Sequence, residues 1–221
     1  MKIFANSLSR NNADPGLRRG GEIFFALLIV FGISHTALAA DTAYKTAVFA
    51  GGCFWSMESA FDDVKGVVKT EAGFAGGTLK NPSYEQVSHG DTGHREAVQV
   101  TYDPAVISYD GLLDVYWHSI DPTDARGQFC DKGEEYKSAV FYGSDDEKKL
   151  AEDSKQKVAK ELDKGVATDI LAAAPFYPAE DYHQAYHKKN PEAYGMYRRG
   201  CGRDNSLRFI WGDKAKTMPG F

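Results

Sequence analysis

The chain has 221 residues, 43% of them hydrophobic and 13% aromatic, enough apolar material for a sizeable core and too much for a disordered tail. Its 26 basic and 31 acidic side chains leave a net charge of −5, which argues against nucleic acid or an anionic membrane surface as the main partner. Three cysteines are too few for a disulfide scaffold or a four-cysteine zinc site.

Residues 1–22 are polar, with Lys2, Arg10, Arg18 and Arg19 against Asp14 and Glu22, and residues 23–33 are apolar apart from Gly32. Ala37-Leu38-Ala39 and Leu38-Ala39-Ala40 follow with small residues at the spacing a signal peptidase reads. This order predicts a secretory signal peptide over residues 1–40. An uncleaved membrane anchor is the rival reading, but the strongly apolar stretch is well short of the ~20 residues a span needs. Arg18-Arg19 lacks the downstream pattern of a twin-arginine signal. Cleavage near Ala40 leaves residues 41–221, with 22 basic and 29 acidic side chains, as an acidic domain in the periplasm or outside the cell.

Residues 45–50 read as a buried strand closed by Gly51-Gly52, and 53–62 as a helix with Cys53, Met57, Ala60 and Phe61 on one face. A second strand covers 67–75, and 95–102 alternates until Asp103-Pro104 stops it. An amphipathic helix spans 108–120, a strand 136–142, and Ser144 to Glu147 forms a capping box for a charged helix to about Asp163. A last strand falls at 169–174, and loops and short helices are expected beyond Pro175. The order predicts an α+β, two-layer sandwich in a single domain, not a doubly wound sheet.

Cys53 follows two glycines after a strand and opens a helix. There the positive end of the macrodipole and free N–H groups favour thiolate, and the glycines let the backbone turn sharply. A buried cysteine packing as a small hydrophobe is the bland alternative. Phe54 and Trp55, beside the thiol, are of a kind usual in cores, but here they would wall an apolar pocket suited to a methyl group. Period two puts Glu96 on the face of Val98, Val100 and Tyr102, opposite Arg95, Gln99 and Thr101. Desolvation on that apolar face would raise its pKa and keep it protonated. Tyr84 and Tyr136 would ordinarily be packing residues, and Asp131, beside Cys130, a turn residue. His183 and His187 are one helical turn apart, yet Gln184, Ala185 and Tyr186 between them supply no zincin glutamate, so no metal site is expected.

Seven segments, in one order over about residues 45–191, together resemble the A-type peptide methionine sulfoxide reductases. They are Gly51-Gly52-Cys53-Phe54-Trp55, Gly73-Phe74-Ala75-Gly76-Gly77, Asn81-Pro82-Ser83-Tyr84, Gly93-His94-Arg95-Glu96, Tyr102-Asp103-Pro104, Asp121-Pro122-Thr123 and Glu180-Asp181-Tyr182-His183-Gln184. The resemblance implies a ferredoxin-like fold and reduction of methionine S-sulfoxide, protein-bound or free. It implies Cys53 as nucleophile, Glu96 as acid, Tyr84 and Tyr136 as partners of the sulfoxide oxygen, Asp131 near the water site, and Phe54 and Trp55 as the methyl pocket. No prosthetic cofactor is implied, only electrons from a thioredoxin-like dithiol acting on a monomer. Two departures stand out: Ser56, where the family commonly has glycine, and a tail with the single cysteine Cys201, where several relatives carry two.

Recycling requires a second thiol to capture the Cys53 sulfenate. Cys201, between Gly200 and Gly202 in a tail expected to be mobile, is the predicted resolving cysteine; Cys130 is the alternative. Two rival functions stay open at this stage. One is a cysteine hydrolase or acyltransferase using Cys53 with His183 as base, although no papain-type segment is present. The other is an exported aromatic-rich binding domain with structural cysteines.

Overall fold

Alternating apolar residues build one sheet in the computed structural model, which describes residues 43–218. The predicted signal peptide over 1–40 lies outside the described residues. In chain order the elements are β1 (Lys45–Ala50), α1 (Phe54–Phe61), β2 (Val67–Ala75), α2 (Tyr84–Ser88), β3 (Arg95–Tyr102) and α3 (Tyr109–Trp117). Then come β4 (Gly127–Gln128), β5 (Asp131–Lys132), β6 (Ala139–Tyr142), α4 (Asp145–Leu162), β7 (Asp169–Ala172), β8 (Tyr177–Pro178), α5 (Tyr186–Lys189), α6 (Pro191–Gly200) and α7 (Arg203–Trp211).

The six strands lie in the order β7-β6-β1-β3-β2-β8, while β4 and β5 form a separate ribbon. β1 pairs antiparallel with β3 and β6, and β2 with β3 and β8; only β6 and β7 run parallel. β1 and β2 therefore point the same way around β3, with α1 as their crossover. β3 and β6 do so around β1, with α3 as theirs. Two interleaved βαβ units result.

Phe49, Val98, Val100 and Val140 pack one sheet face on Met57 and Phe61 of α1 and on Leu112, Leu113 and Tyr116 of α3. Phe49 stacks between Phe61 and Tyr116, with ring centroids at 5.2 and 5.1 Å. The residues next in sequence, Ala50, Ala97, Ala139 and Phe141, turn to the other face. Fully burying each of the larger side chains contributes ~1.5–3 kcal/mol, so this double layer supplies the main drive to fold.

Three local details differ from the sequence reading. Tyr136 does not enter a strand: Glu134–Tyr136 is a 3-10 turn, and β6 starts only at Ala139. Ser144 caps α4 by accepting from the Glu147 N–H at 3.2 Å, but the Glu147 carboxylate accepts from Gly143 N–H at 2.7 Å and so misses the reciprocal bond. The unpredicted α2 has the complete capping box, with Ser83 Oγ accepting from Gln86 N–H and Gln86 Oε1 accepting from Ser83 N–H.

The tail is also better ordered than expected. Pro191 starts α6, Gly202 in the left-handed region (φ +68°) separates it from α7, and buried Arg198 grips Asp204 across the corner at 2.6 Å. Trp211 anchors the far end, its Nε1–H donating to the Ile120 carbonyl at 2.9 Å. Among the described residues no helix is long and apolar enough to cross a membrane.

Candidate active site

The Gly51-Gly52-Cys53 turn joins β1 to α1. Gly52 sits at φ +80°, where a Cβ would also lie 2.6 Å from Gln128 Cβ; at Gly51 a Cβ would run into the Met57 sulfur. Both glycines are therefore required, one by conformation and one by close packing. Cys53 occupies the N-cap of α1, its carbonyl accepting from Ser56 and Met57 N–H at 3.0 and 3.3 Å.

The thiol itself is covered, with Cys53 only 7% exposed. Burial pushes its pKa well up, the Glu96 charge adds to the rise, and hydrogen bonds from the Tyr197 hydroxyl and Trp55 N–H oppose it. The expectation that the helix N-terminus makes Cys53 a thiolate is thus corrected for the resting protein. A two-turn helix offers ~0.3–1 kcal/mol, less than the desolvation of a nearly enclosed sulfur.

Glu96 opens β3, cross-strand from Phe74 of β2, on the face shared with Val98, Val100 and Tyr102. It is 2% exposed, and burial raises its carboxyl to about 8 against the opposing pull of the Phe54 N–H, which donates to Oε2 at 2.9 Å. At neutral pH Glu96 is predominantly a protonated acid beside the thiol.

Tyr84, first residue of α2, and Tyr136, from the 3-10 turn, converge on the same centre. Burial pushes Tyr84 to about 12 and Tyr136 higher still, and charges on Glu96, Cys53 and Asp131 act on both. Their hydroxyls keep their protons and can donate. Phe54 lies within ring-packing distance of Phe74 and Tyr84, while Trp55 stacks on Tyr186 at 3.9 Å. Asp131 of β5 accepts from the Tyr197 hydroxyl at 2.5 Å, and burial raises its pKa.

Tyr197 was not singled out by the sequence. It connects Asp131 to Cys53, and its place one helical turn before Cys201 is the only signal that could have found it. Arg203, 1% exposed, was missed as well. Ser56, the departure in the first turn of α1, is buried, with the Tyr194 hydroxyl donating to its Oγ at 3.4 Å.

His183 lies against Phe54 and Tyr84, with ring centroids at 5.0 and 4.3 Å. Its Nδ1 accepts from Trp55 Nε1–H at 3.1 Å and burial lowers its pKa, so it is neutral with its proton on Nε2. The lone pair that a cysteine hydrolase would use as base is taken. His187 instead pairs with Asp62 at 3.1 Å, away from His183's partners.

Cys130 and Cys201 are not alternatives: they form a disulfide with Cα atoms 5.0 Å apart, and Cys53 is the free thiol. The mobility expected of Cys201 is corrected too, since it is the C-cap of α6, tied down by that bond and by the docked α7. Asp131 follows Cys130 and Tyr197 precedes Cys201 by one turn, so the disulfide adjoins the site through this hydrogen-bonded pair.

A free thiol next to a neutral acid, and an oxidised cysteine pair connected to it through Asp131 and Tyr197, belong to a thiol-dependent oxidoreductase. The family profile described as peptide methionine sulfoxide reductase matches residues 45–215. The chain is 55% identical over 172 residues to peptide methionine sulfoxide reductase MsrA of Bacillus licheniformis, spanning 77% of this chain and 95% of that protein. It is 50% identical over 197 residues to MsrA 2 of Caulobacter vibrioides, spanning 89% of this chain and all of the relative. The solved methionine sulfoxide reductase A of Corynebacterium diphtheriae superposes with a TM-score of 0.62 at 33% identity, covering 69% of this chain and 77% of that one.

The chain belongs to the A-type peptide methionine sulfoxide reductase family. Its activity is that of a peptide-methionine (S)-S-oxide reductase, thiol-dependent reduction of methionine sulfoxide to methionine. The hydrolase and binding-domain readings are overturned.

Proposed function

We propose that Cys53 is the nucleophile, Glu96 the acid, and Tyr84 and Tyr136 the donors that hold the sulfoxide oxygen. The carrying observation is Glu96: buried, raised to about 8, and hydrogen-bonded to the N–H next to Cys53. Cys53 attacks the sulfoxide sulfur as Glu96 protonates the oxygen, a poor leaving group otherwise. The net change is Cys53–SH plus sulfoxide to Cys53–SOH plus thioether, a two-electron oxidation of cysteine. Phe54 and Trp55 receive the methyl group and Asp131, with Tyr197, orders water. With methyl, oxygen and side chain each assigned a place, only the S epimer fits, whether protein-bound or free.

Recycling runs through the observed pair. Cys201 is the more covered member and Cys130 the exposed one, which supports this order. The Cys201 thiol displaces water from Cys53–SOH, and Cys130 then attacks the Cys201 sulfur, releasing Cys53–SH and leaving the Cys130–Cys201 disulfide. An outside thioredoxin-like dithiol reduces that bond and becomes a disulfide itself. The interleaved strand order supports a ferredoxin-like, two-layer domain. The apolar run and small residues of 1–40 support a signal peptide and a periplasmic or secreted enzyme that repairs oxidised exported proteins, served by an exported dithiol partner.

Separate incubation with the two sulfoxide epimers tests the reading. The S form is consumed, and dimedone labels Cys53 when Cys130 and Cys201 are both serine and no reductant is added. Consumption of the R form alone, or no sulfenate on Cys53, refutes it.

A further inference from the structure

Arg203, which follows Gly202 and opens α7, is one of the largest fully buried side chains among the described residues. Its Nη2 donates to the Gly51 carbonyl at 3.1 Å and to the Ser119 carbonyl at 2.8 Å, and touches Met57 Sδ at 3.6 Å. Its guanidinium carbon lies 4.6 Å from the centre of the Phe129 ring, the residue before Cys130. Nη1 is buried and finds no hydrogen-bond partner among the described residues. It faces the Gly52 side of the Cys53 turn, 3.6 Å from where a Gly52 Cβ would stand.

No carboxylate forms an ion pair with Arg203 among the described residues. The nearest candidate in sequence, Asp204, is occupied: its two oxygens accept from Arg198 at 2.6–3.1 Å. A buried cation with no carboxylate in ion-pair contact is costly, and the molecule has to offset that cost somewhere; the Asp131 charge reaches it only from beyond contact. The charged and titratable groups around Cys53 are Glu96 from β3, Asp131 from β5, Tyr84 from α2, Tyr136 from the 3-10 turn, Tyr197 from α6 and Arg203 from α7. Arg198, beyond Tyr194, is neutralised by Asp204. Glu96 and Asp131 oppose a second negative charge at Cys53; the Tyr197 hydroxyl and the Trp55 N–H favour one by hydrogen bonding, and Arg203 is the cation whose charge couples to it.

We infer that Arg203 is a positioning residue whose buried, unpaired charge compensates the Cys53 anion, with its Nη2 fixing the Gly51 carbonyl and Nη1 left over for the turn that carries the sulfur. This rests on Cys53 being the nucleophile. It reconciles a covered thiol with the need for a thiolate: once Glu96 is neutral, ionising Cys53 adds an anion beside a cation that has no ion-pair contact and otherwise feels the Asp131 charge from beyond contact.

The test uses the oxidised protein, in which the Cys130–Cys201 disulfide leaves Cys53 as the titrating thiol, and follows its alkylation by iodoacetamide from pH 5 to 11. Arg203→Met is expected to displace the rising rate–pH profile to higher pH by about one unit, so that alkylation slows about tenfold throughout the range. Arg203→Lys, with the charge but not the bridging fork, is expected to stay near wild type. An undisplaced profile in the Met variant, or an equal upward displacement in the Lys variant, overturns the inference. If Arg203→Met does not fold, the Lys variant decides on the same criterion. Consumption of S-sulfoxide by the wild type, measured alongside, separates failure of this inference from failure of the assignment of Cys53.

Discussion

The backbone N–H of Phe54 donates to Glu96 Oε2 at 2.9 Å, so the residue immediately after Cys53 positions the acid. Phe54, next to the proposed nucleophile, and the proposed proton donor are thereby linked across 42 residues of sequence by one buried bond. Replacing Glu96 tests what that link does. Glu96→Gln keeps both the bond to Phe54 and a donor towards the oxygen, and much of the activity should survive. Glu96→Ala should lose ~10²–10⁴-fold at neutral pH, with Glu96→Asp, which falls short, also low. Steady-state reduction of the S-sulfoxide across pH checks this; equal Gln and Ala rates would remove Glu96 from the reaction.

The same burial makes the fold pH-sensitive. A carboxyl raised from 4.5 to about 8 binds its proton more tightly folded than unfolded, so its contribution is complete below pH 4.5 and is lost as pH rises through 8. Glu58, raised to about 7, acts in the same direction. Urea unfolding of wild type and Glu96→Gln at pH 5 and pH 9 should show the variant gaining stability relative to wild type, by on the order of 4 kcal/mol. A pH-independent difference would contradict the neutral Glu96.

The cysteine pair makes a countable prediction. With a thioredoxin-type reductant, Cys201→Ser should stop after one turnover with Cys53 as sulfenate. Cys130→Ser should also release one thioether and then accumulate the Cys53–Cys201 disulfide, visible by mass spectrometry of unreduced peptides. Multiple turnovers by Cys201→Ser would reverse the order of the two sulfurs.

Gly52 is the position where the turn tolerates least. Gly52→Ala would place a side chain at φ +80° and push its Cβ to 2.6 Å from Gln128, a buried residue that both donates to and accepts from the Asp121 backbone. A loss of ~2 kcal/mol or more is expected, from left-handed strain and overpacking combined. Thermal unfolding measures it, and the displaced Cys53 should react more slowly even where the variant stays folded. Wild-type stability in Gly52→Ala would show that the turn can relax.

Much of this site could be read before folding because its first half is local. Period two alone turns Glu96 inward with Val98 and Val100, and two glycines between a strand and a helix mark Cys53. The segments around Tyr84 and Asp131 were visible only through their resemblance to a family, since a tyrosine opening a short helix and an aspartate in a ribbon carry no pattern of their own. Tyr136 was assigned to the wrong element because a 3-10 turn and a strand entry look alike over three residues.

What tertiary structure alone decided lies far apart in the chain. Cys130 and Cys201 meet across 71 residues, and Arg203 reaches Gly51 across 152. No local periodicity encodes such meetings; they follow from α6 and α7 docking beside α1. The ionisation of Cys53 divides in the same way. Its helix N-terminus is legible in the sequence, but the protein packed over the sulfur is not, and the cost of desolvating the thiolate outweighs the dipole. The sequence by itself singled out the groups proposed to do the chemistry, and packing determined their protonation and which sulfurs are joined.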